Sequence, residues 1–577
     1  MCFRTLHYPL KNILAFRNKA YPHSLLSAPE QHQRSQPCSI ACLALTLALF
    51  PALLSAQFSR QDSLRGSITP ERAWWDLTYY HLDIEVDPAE QSIRGYNTVE
   101  YSVLEPAASM QIDLQPPMAI EEVVQDGQQL AFERLGNVYY IQVPEGQQVG
   151  ATYRLRIKYG GQPRVAQRPP WDGGLTWEQD PNGKPFVATS CQGEGASLWW
   201  PCKDHMYDEP DSMLISVEVP DTLVEVSNGQ LRSVQPHPEK GTQTYHWFVG
   251  NPINNYGVNV NIGDYVHWSE TYKGEKGPLP CHYYVLRSNR QRAERQFKQV
   301  PMMLEAFEYW FGPYPFYEDG YKLVEVPYLG MEHQSSVTYG NRYRNGYLGM
   351  DLSRSGWGYK FDFIIVHESG HEWFANNITY KDIADMWIHE GFTAYSESLY
   401  LEYHFGKEAA AEYIIGTRRS VTNDRPVIGP YGVNKAGSND MYYKGANMLH
   451  TIRTLLGDDE KWRAVLRGLN RDFYHQTVTT QQIEAYLIEH TGLELEKIFD
   501  QYLRDVRIPT LQIKRQGNKL KYRWAKVVDG FEMPVVLLQE GERFELQPSQ
   551  RWKKVRLKND TAEIQLQADY YAQLEKL

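Results

Sequence analysis

The stretch Phe361-Asp-Phe-Ile-Ile-Val-His-Glu-Ser-Gly-His-Glu-Trp-Phe374 decides how the rest of the chain is read. His367, Glu368 and His371 spell H-E-x-x-H inside it, and nineteen residues after His371 comes Glu390, in Trp387-Ile-His-Glu-Gly-Phe392. A helical run with about 3.6 residues per turn puts the two histidines one turn apart on one face, where both imidazoles reach a single metal ion. Glu368 then flanks that ion as a candidate general base. Zinc takes N and O ligands tetrahedrally at roughly 2.0–2.2 Å, and a catalytic zinc keeps one position for water, so three protein ligands are expected. Glu390 is the predicted third ligand; Glu397, seven residues further on the same helical face, is the alternative. Phe363, Ile364, Val366 and Phe374 predict a buried helical body that holds the ligands rigidly. A core helix with two satisfied histidines is the plainer alternative, and motifs elsewhere in the chain weigh against it.

A chain of 577 residues is several times the size of a typical domain, which predicts three or four domains. Its 40 tyrosines and 15 tryptophans suit aromatic-rich sheets and clefts. The formal charge is −11; residues 1–56 carry +4 and the remainder −15, which argues against nucleic acid as a partner. The basic opening precedes an apolar stretch from Ile40 to Ala56 that contains Pro51 and ends in small residues. Shorter than the roughly 18–20 residues of a membrane span, it reads as a secretory signal peptide, with an uncleaved anchor as the alternative. The expected location is periplasmic or secreted, with no stable membrane span in the mature chain. Cys191, Cys202 and Cys281 follow the leader, and a Cys191–Cys202 bridge is open without being compelled.

Alternating runs such as Tyr80–Val86, Tyr96–Val103, Tyr153–Tyr159 and Leu214–Val219 predict strands of a large antiparallel domain. Past Pro280 the period turns helical, around 292–311, 361–376, 386–405 and 448–456. Thr479, with Gln482 three residues on, predicts a capping box, and Gly492 the end of that helix. Strand-like runs return after Ile508. The expected fold is multidomain α+β: a leader at 1–56, a linker at 57–74, an N-terminal antiparallel β domain at 75–270, a mainly helical catalytic domain at 271–507 and a small C-terminal β domain at 508–577.

Further motifs agree with the metal reading: Phe311-Gly-Pro-Tyr-Pro-Phe316, Leu329-Gly-Met-Glu-His333, Tyr442-Tyr-Lys-Gly445 and Phe499-Asp-Gln-Tyr-Leu503. From about residue 75 onward the chain thereby resembles the gluzincin aminopeptidases of peptidase family M1. It resembles the exported bacterial type without the large C-terminal helical domain, since about 70 residues follow Pro509. The resemblance implies a thermolysin-like catalytic domain, one Zn2+ per chain on His367, His371 and Glu390, and peptide substrates with a free N-terminus. It makes Glu332 the carboxylate that receives the substrate's α-amine, Gln192 of Ser190-Cys-Gln192 a second amine contact, and Tyr442 the stabiliser of the oxyanion. Gly330 and Met331 become a backbone strip that pairs with an extended peptide.

The chain departs from the family pattern at Leu329, where Gly is usual, at His333 and His389, where Asn is usual, and at Ser190, where Gln is usual. His389, beside Glu390 on a helix, is expected to face away from the metal. Three rival readings share parts of these motifs: a thermolysin-type endopeptidase, an epoxide hydrolase-like member, and a catalytically silent scaffold. The epoxide-hydrolysing branch carries Asp eight residues before the tyrosine, where this chain has Asn434.

Overall fold

Hydrophobic alternation builds the first part of the molecule. In Trp75–Asp87 a β-bulge between Leu77 and Tyr79 resets the register, after which Tyr80, Leu82, Ile84 and Val86 all face inward. The computed structural model describes residues 58–557 and 562–577; the leader read at 1–56 lies outside the described residues. Two short helices, Arg60–Gly66 and Pro70–Ala73, occupy part of the stretch expected to be a linker. Buried Arg72 ties them down, with its guanidinium 2.6 Å from Asp113.

Eight strands form the large sheet, in the order Gln230–His237, Thr242–Val249, Ser212–Pro220, Trp75–Asp87, Ser92–Val103, Thr152–Gly161, Ala119–Gln125 and Gln128–Gln129. The sheet is not antiparallel throughout. Trp75–Asp87 and Ser212–Pro220 run parallel, because the long excursion between them returns the chain in the same direction. A four-stranded sheet includes Pro185–Ser190, whose end delivers Cys191 and Gln192 toward the helical part. Cys191, Cys202 and Cys281 are all buried free thiols.

A five-stranded sheet follows, ordered Tyr265–Gly274, Gly277–Leu286, Tyr321–Glu325, Val337–Tyr339 and Gly330–Met331, with the last at its edge. The boundary expected between 270 and 271 falls inside the first of these strands, which pairs along its length with Gly277–Leu286. Only Tyr265 of that strand is buried, so it carries little hydrophobic signal in the sequence.

The helix Phe363–Gly370 packs beneath this sheet and begins at Asp362, whose buried carboxylate accepts from the amides of Ile364 and Ile365. The same carboxylate accepts from Tyr339, Asn341 and Gln296 at 2.7–2.8 Å, which locks the helix start to the strand above it. Regular helix stops at His371. Phe374, expected inside the helical body, has φ −127° and ψ 75°, and packs on Phe311 and Phe392 from a wider, irregular turn.

The long helix Trp387–Phe405 crosses both this helix and Tyr443–Leu456. Gly391 and Gly445 meet at the second crossing, where a Cβ on Gly445 would stand 3.1 Å from the Cα of Gly391. The predicted capping box at Thr479 and Gln482 is present, and Gly492 ends that helix in the left-handed conformation. Two small sheets, one of four strands and one of three, close the described chain and dock through Tyr502, which donates to the Tyr571 carbonyl at 2.7 Å. No helix among the described residues is long and apolar enough to cross a membrane.

Replacing Asp362 by Ala removes the cap and leaves the Tyr339, Asn341 and Gln296 donors without their buried acceptor. The expected loss is about 2–4 kcal/mol of stability, read as a lowered denaturant midpoint; an unchanged midpoint would show that the anchor is dispensable.

Candidate active site

His367 and His371 project from the end of the helix Phe363–Gly370 toward the first turn of Trp387–Phe405, which carries Glu390. The Nε2 atoms of His367 and His371 lie 3.7 and 3.4 Å from Glu390 Oε2. Tetrahedral N and O ligands at roughly 2.0–2.2 Å from an ion stand about 3.3–3.6 Å apart, so the three donors have the spacing that zinc requires. Glu390 Oε2 is buried and lacks a hydrogen-bond partner, as expected of an atom reserved for a cation.

The other ring nitrogens are committed elsewhere. His367 Nδ1 donates to Glu397 Oε1 at 2.8 Å, while His371 Nδ1 donates to the Phe374 carbonyl at 3.0 Å. Both Nε2 atoms are thereby left as acceptors for a metal. Glu397, the alternative ligand, therefore orients a ligand instead of binding metal, and Tyr413 holds its second oxygen at 2.7 Å. His389 points away as expected, accepting from the Tyr380 amide at 2.8 Å. The irregular turn after His371 has a function here: it brings the Phe374 carbonyl back to the imidazole that a continuous helix would leave without it.

Glu332 reaches the same space from the edge strand. Gln192 Nε2 bridges Glu332 Oε1 at 2.6 Å and Glu390 Oε1 at 2.9 Å, and the Tyr256 hydroxyl donates to Glu332 Oε1 at 3.0 Å. Burial raises the Glu332 pKa, opposed by nearby His371. Burial also pushes Glu368 up to about 7, with His367 pulling the other way. At Glu390 burial is outweighed by His371 and His367, which hold the carboxyl below its ordinary range. Burial, reinforced by Glu390, Glu332 and Glu368, lifts Tyr442 well above the usual phenol value, so it stays a proton donor.

All nine expected site residues, namely His367, Glu368, His371, Glu390, Glu332, Gln192, Gly330, Met331 and Tyr442, line one cleft of about 420 Å³. Gly330 is there for space. A Cβ at this position would stand 2.7 Å from Ile364 and 3.2 Å from Glu368 Cγ, so only glycine lets the edge strand lie against the catalytic helix. Asn434 is not in this cleft; its side chain donates to the Gly193 carbonyl at 3.2 Å.

The Peptidase family M1 domain matches residues 295–502, and the Peptidase M1 N-terminal domain matches residues 77–256. The chain belongs to peptidase family M1. It is similar to Probable aminopeptidase 1 of Sulfurisphaera tokodaii, 22% identical over 70% of this chain and 50% of that protein. It is also similar to Aminopeptidase B of Rattus norvegicus, 22% identical over 72% of this chain and 66% of that one. The chain thus spans about half to two thirds of the length of these curated relatives. The crystal structure of an M1 zinc metallopeptidase from Deinococcus radiodurans superposes with a TM-score of 0.65 at 21% identity, covering 76% of this chain and 95% of that one, a likeness of fold.

Within this family fold, several supporting residues had no signal in the sequence. Tyr256 lies 76 residues from Glu332 and belongs to no motif. Asn376, by contrast, closes the zinc segment 367–376, and its side-chain amide donates to the Glu332 carbonyl at 2.8 Å. Trp171, 67% exposed, stands at the cleft mouth on a loop with no motif of its own. Glu397 could have been read as a histidine's partner, since a carboxylate on the far ring nitrogen is a recurrent feature of metal-ligating histidines.

Two substitutions test the geometry. Glu397→Ala should weaken zinc affinity by roughly 10–100-fold in a chelator competition titration; unaltered affinity would deny Glu397 its orienting role. Gly330→Ala should keep metal content yet lower turnover steeply, because the added methyl displaces the edge strand or Glu368.

Proposed function

We propose that the protein is a zinc-dependent aminopeptidase that removes N-terminal residues from peptides. The observation that carries this reading is Glu332: a buried carboxylate beside the metal triad, held by Gln192 and Tyr256, at the end of an edge strand that an extended peptide can join. A fixed anion about one residue's length from the metal selects a cationic terminus and rejects internal peptide bonds.

His367, His371 and Glu390 hold the zinc, which when bound polarises a carbonyl and lowers the pKa of water. Glu332 and Gln192 seat the α-amine, and the backbone of Gly330 and Met331 aligns the peptide, so the first peptide bond lies between Glu368 and Tyr442. Glu368 accepts the proton of the attacking water and returns it to the departing amine. Tyr442 donates to the oxygen on which negative charge develops. The basic then apolar pattern at residues 1–56 further supports a signal peptide and action in the periplasm or outside the cell.

Glu368→Gln should retain zinc and lose turnover by several orders of magnitude; substantial residual activity would sink its role as base. The substrate class is tested by following one short peptide, free or N-acetylated, with and without a zinc chelator, by mass. Chelator-sensitive stepwise loss of N-terminal residues from the free peptide alone is expected, whereas internal cuts in both peptides would make the protein an endopeptidase.

A further inference from the structure

A second cavity of about 450 Å³ adjoins the catalytic cleft, with Trp171 and Leu329 as the shared wall. The loop that carries Trp171 is braced by Asp172, whose carboxylate accepts from the amides of Gln167 and Arg168. The far side of this cavity is basic. Arg292, Arg342 and Arg344 line it, and none of the three has an ion-pair partner among the described residues. Arg292 spreads over the Tyr343 ring at 5.1 Å and donates to the Arg342 carbonyl at 2.7 Å. Arg342 and Tyr343 adopt φ values of 56° and 58°, a left-handed pair of non-glycine residues that turns the chain at the cavity rim. The one carboxylate in the lining, Glu325, accepts from the Leu286 amide at 2.8 Å and from Asn289 at 2.6 Å; burial raises its pKa and the charge of Arg292 opposes that rise, which leaves Arg342 and Arg344 as the cavity's uncompensated cations.

The edge strand fixes the direction in which a peptide crosses this wall. Its amine sits at Glu332, just past the C-terminal end of Gly330–Met331, so a peptide pairing with that strand runs antiparallel, back past Leu329 and Tyr328. At about 3.4 Å per residue the third and fourth residues come to the Trp171–Leu329 divide and the basic cavity beyond it.

We propose that the Arg292–Arg342–Arg344 cavity is a subsite for a carboxylate carried by the third or fourth residue of the peptide. This rests on the aminopeptidase reading for its direction and names the substrate class that reading leaves open: tripeptides and tetrapeptides with a free C-terminus, or longer peptides with Asp or Glu at those positions.

Binding of tripeptides and tetrapeptides to the zinc-loaded Glu368→Gln protein, as free acids and as C-terminal amides, is measured by calorimetry at low and high salt. A parallel set of amidated hexapeptides carries Glu or Gln at position three or four. The expected result is an acid-over-amide or Glu-over-Gln preference of about five- to tenfold that shrinks in high salt and falls to about one in Arg342→Ala/Arg344→Ala. Preference in the short acids alone assigns the subsite to the C-terminal carboxylate; preference in the hexapeptides assigns it to an acidic side chain. Equal affinity in every pair, or a preference that survives the double substitution, overturns the proposal. The preference is a ratio within one protein and is read without catalysis, so it stands or falls separately from turnover by the unsubstituted enzyme.

Discussion

Four carboxylates, Glu332, Glu368, Glu390 and Glu397, are buried around two imidazoles, and the architecture near the cleft follows from the need to keep them there. Burying an ionised carboxylate costs several kcal/mol unless it is paired or hydrogen-bonded. Two of the four are satisfied within the protein: Glu397 by His367 and Tyr413, and Glu332 by Gln192 and Tyr256. Glu390 keeps one oxygen unpartnered and facing both Nε2 atoms. A divalent cation is the group that completes this arrangement, since it neutralises the excess negative charge and uses all three free donors together.

Rigidity around the cation comes from backbone fit. Asp362 secures the start of the histidine-bearing helix, Gly391 and Gly445 bring the Glu390 helix close to the Tyr442 segment, and Gly330 lets the edge strand touch Glu368. Behind His371, Tyr314 of the Phe311–Phe316 motif donates to Glu372 at 3.2 Å, and Glu372 in turn accepts from the Ser335 amide at 2.8 Å. Side chains separated by ångströms from the reacting bond are thus held through their own buried hydrogen bonds, which is what an enzyme needs to present charge without reorganising during the reaction.

The cleft is shared between sheets of different origin. Gln192 and Tyr256 come from the first, β-rich part, and Glu332 comes from the edge of the five-stranded sheet. Their meeting point is where the proposed aminopeptidase would seat its substrate's amine, and the same edge strand leads from there toward Trp171. On that proposal, recognition of the first residue and of the downstream chain depends on one short strand, Gly330–Met331, and on the loops that flank it.

The ligand set was legible in the sequence because helical periodicity is local: His367 and His371 one turn apart, with Glu390 opening the next long helix, leave little freedom in where the metal sits. Strand alternation from Tyr80 to Val86 and the cap at Thr479 were legible for the same reason, whereas the strand Tyr265–Gly274, with Tyr265 its one fully buried residue, was not. Only the tertiary structure decided that Glu397 orients His367 instead of joining the ligand set, since Glu390 and Glu397 share a helical face and the choice rests on which ring nitrogen of His367 each one meets: Nδ1 faces Glu397 and Nε2 faces Glu390. It likewise decided that Tyr256 and Gln192 brace Glu332, contacts that span 76 and 140 residues of chain. Spacing along a sequence determines what one helix can present, and the packing of separate sheets and helices determines what it is presented to.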